Sequence, residues 1–210
     1  MMDVMEAILT RRSIRKYKPK PIPRESILKL LEAANLAPTA GNKQPWEFIV
    51  VERNYLNKME NILERSFFER VEEMSEHAFE EYIKNLPIPT DTFEDKMKGL
   101  GHFFKSLGDA PVAVMVIIPK DRNPWNWINN ISDASAAIEN LILAAWNMGL
   151  GTCWMTAPLR KKGEEIKTFL GVEPDKEIIA VVPIGIPDQD PSIPPKIDVR
   201  EKIKWVGILE

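Results

Sequence analysis

The chain carries one cysteine, Cys153, and two histidines, His77 and His102. A single thiol cannot close an intrachain disulfide, and a cysteine-built metal centre within one chain is excluded. The histidines stand apart from any acidic spacing suited to a metal, so a metal enzyme is not expected. No stretch approaches the ~20 uninterrupted apolar residues that span a bilayer. Asp3 and Glu6 occupy places where a signal peptide would carry basic and then apolar residues. A cytoplasmic protein without a membrane partner is the expectation. A basic excess is missing as well: the net charge is -3, and no nucleic-acid surface is expected from it. Small anionic ligands fit that balance better.

What the chain does have is 210 residues, 44% apolar and 28% charged, enough for one folded domain over 1–210 with room for an insertion. Asp3 with Glu6 three residues later resembles a helix cap, and Val4, Ala7 and Ile8 follow at helical spacing. That helix runs into Arg11-Arg12-Ser13-Ile14-Arg15. Two readings of this cluster stand side by side: a solvated helix end, where arginines suit the negative pole of the helix dipole, or a phosphate site, because guanidinium forks match phosphate oxygens two at a time.

Further along, Ile27, Leu30, Leu31 and Ala34 predict an amphipathic helix ending before Pro38, and Trp46 to Val51 predicts a strand. Between them, 38–45 is a loop of turn formers carrying side-chain amides. From about 55 to 108 the pattern is loosely helical, broken at Leu86-Pro87-Ile88-Pro89; it reads as a helical cover for the core or as a substrate lid. Val112 to Ile118 and Glu177 to Ile186 predict buried strands. Ser132 to Met148 predicts a helix apolar on nearly every side, which must be covered all round, at a subunit interface or inside one chain. Gly149 and Gly151 follow a helix and precede a strand, the wrong order for a dinucleotide fingerprint, so a helix cap leading into a buried strand is the better reading. The tail from 187 to 210 is proline-rich but ends in Trp205, Val206, Ile208 and Leu209, too apolar to remain free in water.

The arginine–serine cluster, the 37–46 segment APTAGNKQPW, the 144–154 segment AAWNMGLGTCW and the late Arg200 occur together, in an order that resembles the nitroreductase family of flavin enzymes. The resemblance implies an α+β fold with a central, mainly antiparallel sheet flanked by helices, assembled as an interlocked homodimer. It implies FMN as cofactor, reduced by NAD(P)H and reoxidised by a nitroaromatic, a quinone or a related small acceptor in ping-pong fashion, with the chemistry on the flavin and no catalytic side chain. Arg11, Arg12, Ser13, Arg15 and Arg200 would serve the phosphate, with Arg15 also a candidate for the negative charge of reduced flavin. Pro38, Thr39, Ala40 and Asn42 would reach the flavin from the other subunit, supported by Gln44, and Trp154, Met155, Thr156 and Ala157 would lie along the ring. Tyr82, His102, Lys105 and Trp125 are the substrate candidates. Two other functions stay open: reductive dehalogenation of a halogenated tyrosine, for which Glu81, Tyr82 and Lys105 supply the residue types, and flavin binding or sensing without turnover.

Overall fold

The branched, apolar strand segments pair as expected. In the computed structural model, which describes residues 2–84 and 92–207, β1 (Glu47–Glu52), β2 (Val112–Pro119), β3 (Gly151–Thr152) and β4 (Lys176–Gly185) form one antiparallel sheet in the order β1-β2-β4-β3. β2 is central and buried along its whole length but for Pro119. Its two-residue period divides it between two cores: Val112, Val114, Val116 and Ile118 face one way, and Ala113, Met115 and Ile117 the other. Register is pinned by pairs such as Val50 opposite Val114 and Met115 opposite Val181, with an irregularity after Val116.

One face of the sheet is covered by α2 (Arg24–Asn35) and α6 (Pro124–Asn147), through Leu30, Ala34, Ile138 and Leu141. The other is covered by α3 (Arg53–Glu72), α5 (Phe93–Ser106) and α7 (Ala157–Leu170), through Leu56, Leu63, Phe67, Phe104 and Ile166. Truncating a fully buried side chain here, Leu63 or Leu141, to alanine costs about 2–5 kcal/mol. The short α1 (Val4–Thr10) is capped by Asp3, whose Oδ1 accepts from the Glu6 N–H at 2.9 Å. α4 (Glu76–Lys84) follows α3. The break at Leu86–Pro89 lies outside the described residues.

Two boundaries differ from the expected ones. α6 begins at Pro124, eight residues before Ser132, because Asn123 caps it, accepting from Trp125 N–H at 2.9 Å, with proline in the first turn. Trp125 therefore sits on a helix, 74% exposed. The strand expected after Gly149 is cut to two residues; Cys153 and Trp154 interrupt it before Met155 rejoins β4 at Val181. Among the described residues no helix is long and apolar enough to cross a membrane.

Candidate functional site

The arginine segment lies along the outer edge of β3. Ser13 bridges Thr152 in parallel, and Ile14 N–H donates to Thr152 O at 2.8 Å. A Cβ on Gly151 would come within 2.5 Å of Ile14 Cγ1, so only glycine lets the segment approach this closely. Further on, Tyr17 N–H donates to Gly108 O at 3.0 Å and Lys18 N–H to Ile186 O at 2.9 Å. The helix-end reading is visible at Arg12. Arg12 Nη1 donates to Leu9 O at 3.0 Å and Arg11 O at 2.8 Å, capping α1.

Yet Arg11, Arg12 and Arg15 are all half-buried, and among the described residues no carboxylate lies within 4 Å of any of them. Elsewhere, by contrast, half-buried Arg53 meets Glu60 at 2.6 Å and Arg70 stacks on Tyr82 at 4.9 Å. Three cations with a serine hydroxyl and no acid form a donor set for a dianionic phosphate.

Beneath the arginines lie Cys153 and Tyr17, both buried. Burial pushes the Cys153 thiol up, opposed by Arg15 and Arg11. Burial likewise pushes the Tyr17 phenol well up, reinforced by Cys153 and opposed by Arg15; its hydroxyl donates to Ile14 O at 2.6 Å. A thiol held protonated in this way is inert, so Cys153 is structural. Trp154 is 37% exposed between buried Cys153 and Met155. Met155 is fixed by reciprocal bonds with Val181, N–H to O at 3.0 and 2.9 Å. Thr156 is exposed and half-buried Ala157 opens α7. The structure thus seats the arginine segment on Thr152, two residues ahead of the expected Trp154–Ala157 stretch.

It does not join the others within one chain. The 38–44 loop is exposed apart from Thr39 and sharply turned, with Gly41, Asn42 and Gln44 at φ 61, 55 and 47°. Left-handed non-glycine residues cost about 1–3 kcal/mol each and persist where the surroundings dictate them. Gln44 Nε2 donates to Asn42 Oδ1 at 3.0 Å, and Ala40 N–H to Asp133 Oδ2 at 3.2 Å. Asp133 is 13 positions along α6 from Trp146, whose indole N–H donates to Thr10 beside the arginines at 2.9 Å. At 1.5 Å per residue the loop and the cluster are about 20 Å apart along the helix.

Arg200 is exposed and held by Asp198, Nε to Oδ1 at 3.0 Å and Oδ2 at 2.9 Å. Among the substrate candidates, Tyr82 lies under Arg70, His102 Nε2 is 2.7 Å from Asp109 Oδ2, and Lys105 Nζ is 3.2 Å from Glu64 Oε1. Trp125 is exposed in the first turn of α6.

The family model of the Nitroreductase family matches residues 8–186. The chain belongs to the nitroreductase family. A chain of Methanothermobacter thermautotrophicus assigned to the NADH dehydrogenase/NAD(P)H nitroreductases is 33% identical over 194 residues, covering 91% of this chain and 81% of that one. The iodotyrosine deiodinase of Danio rerio is 26% identical, covering 96% of this chain and 66% of that one. The crystal structure of the FMN and NADPH-dependent nitroreductase NfnB from Sphigopyxis sp. strain HMH shares the fold, with a TM-score of 0.79 at 20% identity over 99% of this chain and 100% of that one.

Within this nitroreductase-family fold, sequence reasoning overlooked Phe103, whose ring lies 6.0 Å from Arg15 Cζ, and Gly108, which receives Tyr17 N–H. It also passed over Gln189 as a site residue, although its Oε1 accepts from Arg15 N–H at 3.2 Å. The signal available for Gly108 was the Gly-Asp turn ahead of a buried strand.

Proposed function

We propose that the chain is an FMN-dependent NAD(P)H oxidoreductase that passes reducing equivalents to a small organic acceptor such as a nitroaromatic or a quinone, working as a homodimer. The observation that carries this reading is the set of three half-buried arginines without an acid partner among the described residues, beside Ser13, which bridges Thr152 of β3. The donor set fits one terminal phosphate, and no dinucleotide fingerprint competes with that assignment. FMN, when bound, supplies hydride chemistry in ping-pong fashion, and the protein supplies position, charge and a dry wall.

Arg11, Arg12 and Ser13 hold the phosphate, with Arg12 giving up its helix-cap contacts to do so. Arg15 places positive charge against the ring. Trp154, Met155, Thr156 and Ala157 form the wall beside it. Arg200 on the tail serves the phosphate by exchanging its Asp198 contacts for it.

Pro38, Thr39, Ala40, Asn42 and Gln44 complete the site from the second subunit, a reading supported by the ~20 Å that separates them from their own chain's arginines. Exposed Val4, Met5, Ile8 and Leu9 on α1, and Ile193, Ile197, Val199, Trp205 and Val206 on the tail, are apolar surface that a second copy would cover. So is a groove of about 1260 Å³ along the outer edge of β1, lined by Ile22, Leu28, Leu31, Val50 and Tyr55. Dehalogenation of an amino acid is less well supported, because Tyr82 and Lys105 are engaged by Arg70 and Glu64.

The test is complementation. Mixed Arg12→Ala and Asn42→Ala subunits should regain one tight FMN site per heterodimer, while neither homodimer has one; a monomer binding FMN at full affinity would refute the shared site. Stopped-flow reduction by NADH and NADPH, followed by reoxidation against an acceptor panel, then separates turnover from sensing, where every nicotinamide reduces slowly.

A further inference from the structure

The turn that closes α5 is unusual in three consecutive residues. Leu107, Gly108 and Asp109 have φ of 53, 67 and 62°, so two residues with side chains take the left-handed conformation on either side of a glycine. Leu107 is fully buried in the core. On one side the turn is bound to α5: Asp109 N–H donates to Ser106 Oγ at 3.2 Å, and the Asp109 carboxylate sits 2.7 Å from His102 Nε2. On the other side it meets the arginine strand. Gly108 O accepts from Tyr17 N–H at 3.0 Å. A Cβ on Gly108 would fall 2.1 Å from Arg15 O and 2.7 Å from Arg15 C. One turn of α5 earlier, buried Phe103 places its ring 6.0 Å from the Arg15 guanidinium carbon.

Residues 13–17 are thus clamped between two supports. Thr152 of β3 holds Ile14, and the 107–109 turn holds Tyr17. The first support is part of the sheet and is rigid. The second is the turn that leads from α5 through Ala110 and Pro111 into β2. α5 is held by the apolar contacts of Leu100, Phe103 and Phe104, by Arg53 Nη1 donating to Ser106 O at 2.5 Å, by Lys105 against Glu64 and by this turn.

We propose that Phe103 and the Leu107–Asp109 turn position Arg15 for its ligand, so that occupation of the arginine cluster tightens α5. The proposal rests on FMN being the ligand of that cluster. Its logic is linkage. A ligand that restrains Arg15 restrains the strand, and with it the turn and the end of α5; by reciprocity, loosening the turn weakens the ligand by the same factor. The cation–π contact adds direction, since a ring beneath the guanidinium favours a plane that an aliphatic side chain would not dictate.

Hydrogen exchange of the native chain, with and without FMN, tests this, with the α2 amides as internal reference. FMN should slow exchange of the amides in the second half of α5 about tenfold or more and leave α2 unchanged. Phe103→Leu should weaken FMN about three- to tenfold and reduce the FMN-dependent protection of α5, and Phe103→Tyr, which restores a ring, should recover both. Gly108→Ala should weaken FMN further; should that variant fail to fold, the native exchange and the Phe103 pair decide alone. A merely structural Phe103 would lower the melting temperature of the flavin-free chain and leave the FMN-dependent protection untouched, and that result overturns the proposal. Tight FMN binding with unaltered α5 exchange also overturns it. Absence of FMN binding appears in the titration before any exchange is measured, and removes the functional reading and this inference together.

Discussion

The two edges of the sheet are treated in opposite ways. At β3 the edge is two residues long, one of them Gly151, and is covered by the chain's own residues 13–14. At β1 the edge is six residues long, reads Glu-Phe-Ile-Val-Val-Glu, and has no strand beyond it among the described residues; Val50 is 41% exposed and a wide groove runs alongside. A long apolar edge is an invitation to pair with another chain. The covered edge brings cations to a fixed place, while the bare edge and the apolar tail call for a second copy. The β3 edge is thus closed by the chain itself and the β1 edge is left open among the described residues.

The contrast can be broken most severely at the covered edge. Gly151→Val would drive a side chain into Ile14 and push the arginine strand away. FMN affinity should fall by about two powers of ten, about 3 kcal/mol, by fluorescence titration, while the sheet CD signal stays. Retained FMN affinity would show that the strand's seat on β3 does not set the site.

Next in size, Arg12→Ala and Arg200→Ala should each weaken FMN by about 1.5–3 kcal/mol, the range for a hydrogen bond to a charged group. Riboflavin, which lacks the phosphate, should bind the native chain weakly and be nearly indifferent to both changes. Equal losses for the two flavins would put these arginines in another role.

At the bare edge, Val50→Lys places a charge where a partner would be buried. Self-association measured by sedimentation should weaken about tenfold, or ~1.4 kcal/mol, with the melting temperature of the dissociated chain almost unchanged. An unaltered dimer would remove the β1 edge from the interface.

The smallest effect concerns pH. Cys153 has its folded pKa raised above the ordinary 9.0 by burial, and Tyr17 well above 10.0. The folded state holds both protons more tightly than the unfolded chain. Their contribution is therefore complete below pH 9 and is lost as pH rises beyond it, first at Cys153 and then at Tyr17. Urea midpoints measured from pH 7 to 11 should decline, and Cys153→Ala should flatten the first part of that decline.

The strands β2 and β4 were readable because a strand buried on both faces shows as a continuous branched run, and α2 because one apolar stripe repeats at helical spacing. The start of α6 was missed for a local reason: Asn123-Pro124 punctuates a loop and caps a helix equally well. β3 was overestimated because apolar composition does not reveal that Cys153 and Trp154 leave the ladder. In the site, residue types were legible and neighbours were not. The arginine cluster suits a phosphate by charge and fork geometry, but that it lies on Thr152, 139 positions later, or that Phe103 lies 6.0 Å from Arg15, has no local trace.

By itself the sequence determined the two-sided burial of the central strands and the phosphate-matching residue types of the arginine cluster, because each follows from side-chain type and short-range period, whereas the antiparallel α+β class followed from the family resemblance. Tertiary structure decided which arginines go without an acid, that the 38–44 loop stands far from its own chain's cluster, and which sheet edge is closed. Those facts depend on contacts between residues far apart in the chain, such as Ala40 with Asp133 and Ser13 with Thr152, where chain connectivity imposes no spacing and only packing selects the neighbour.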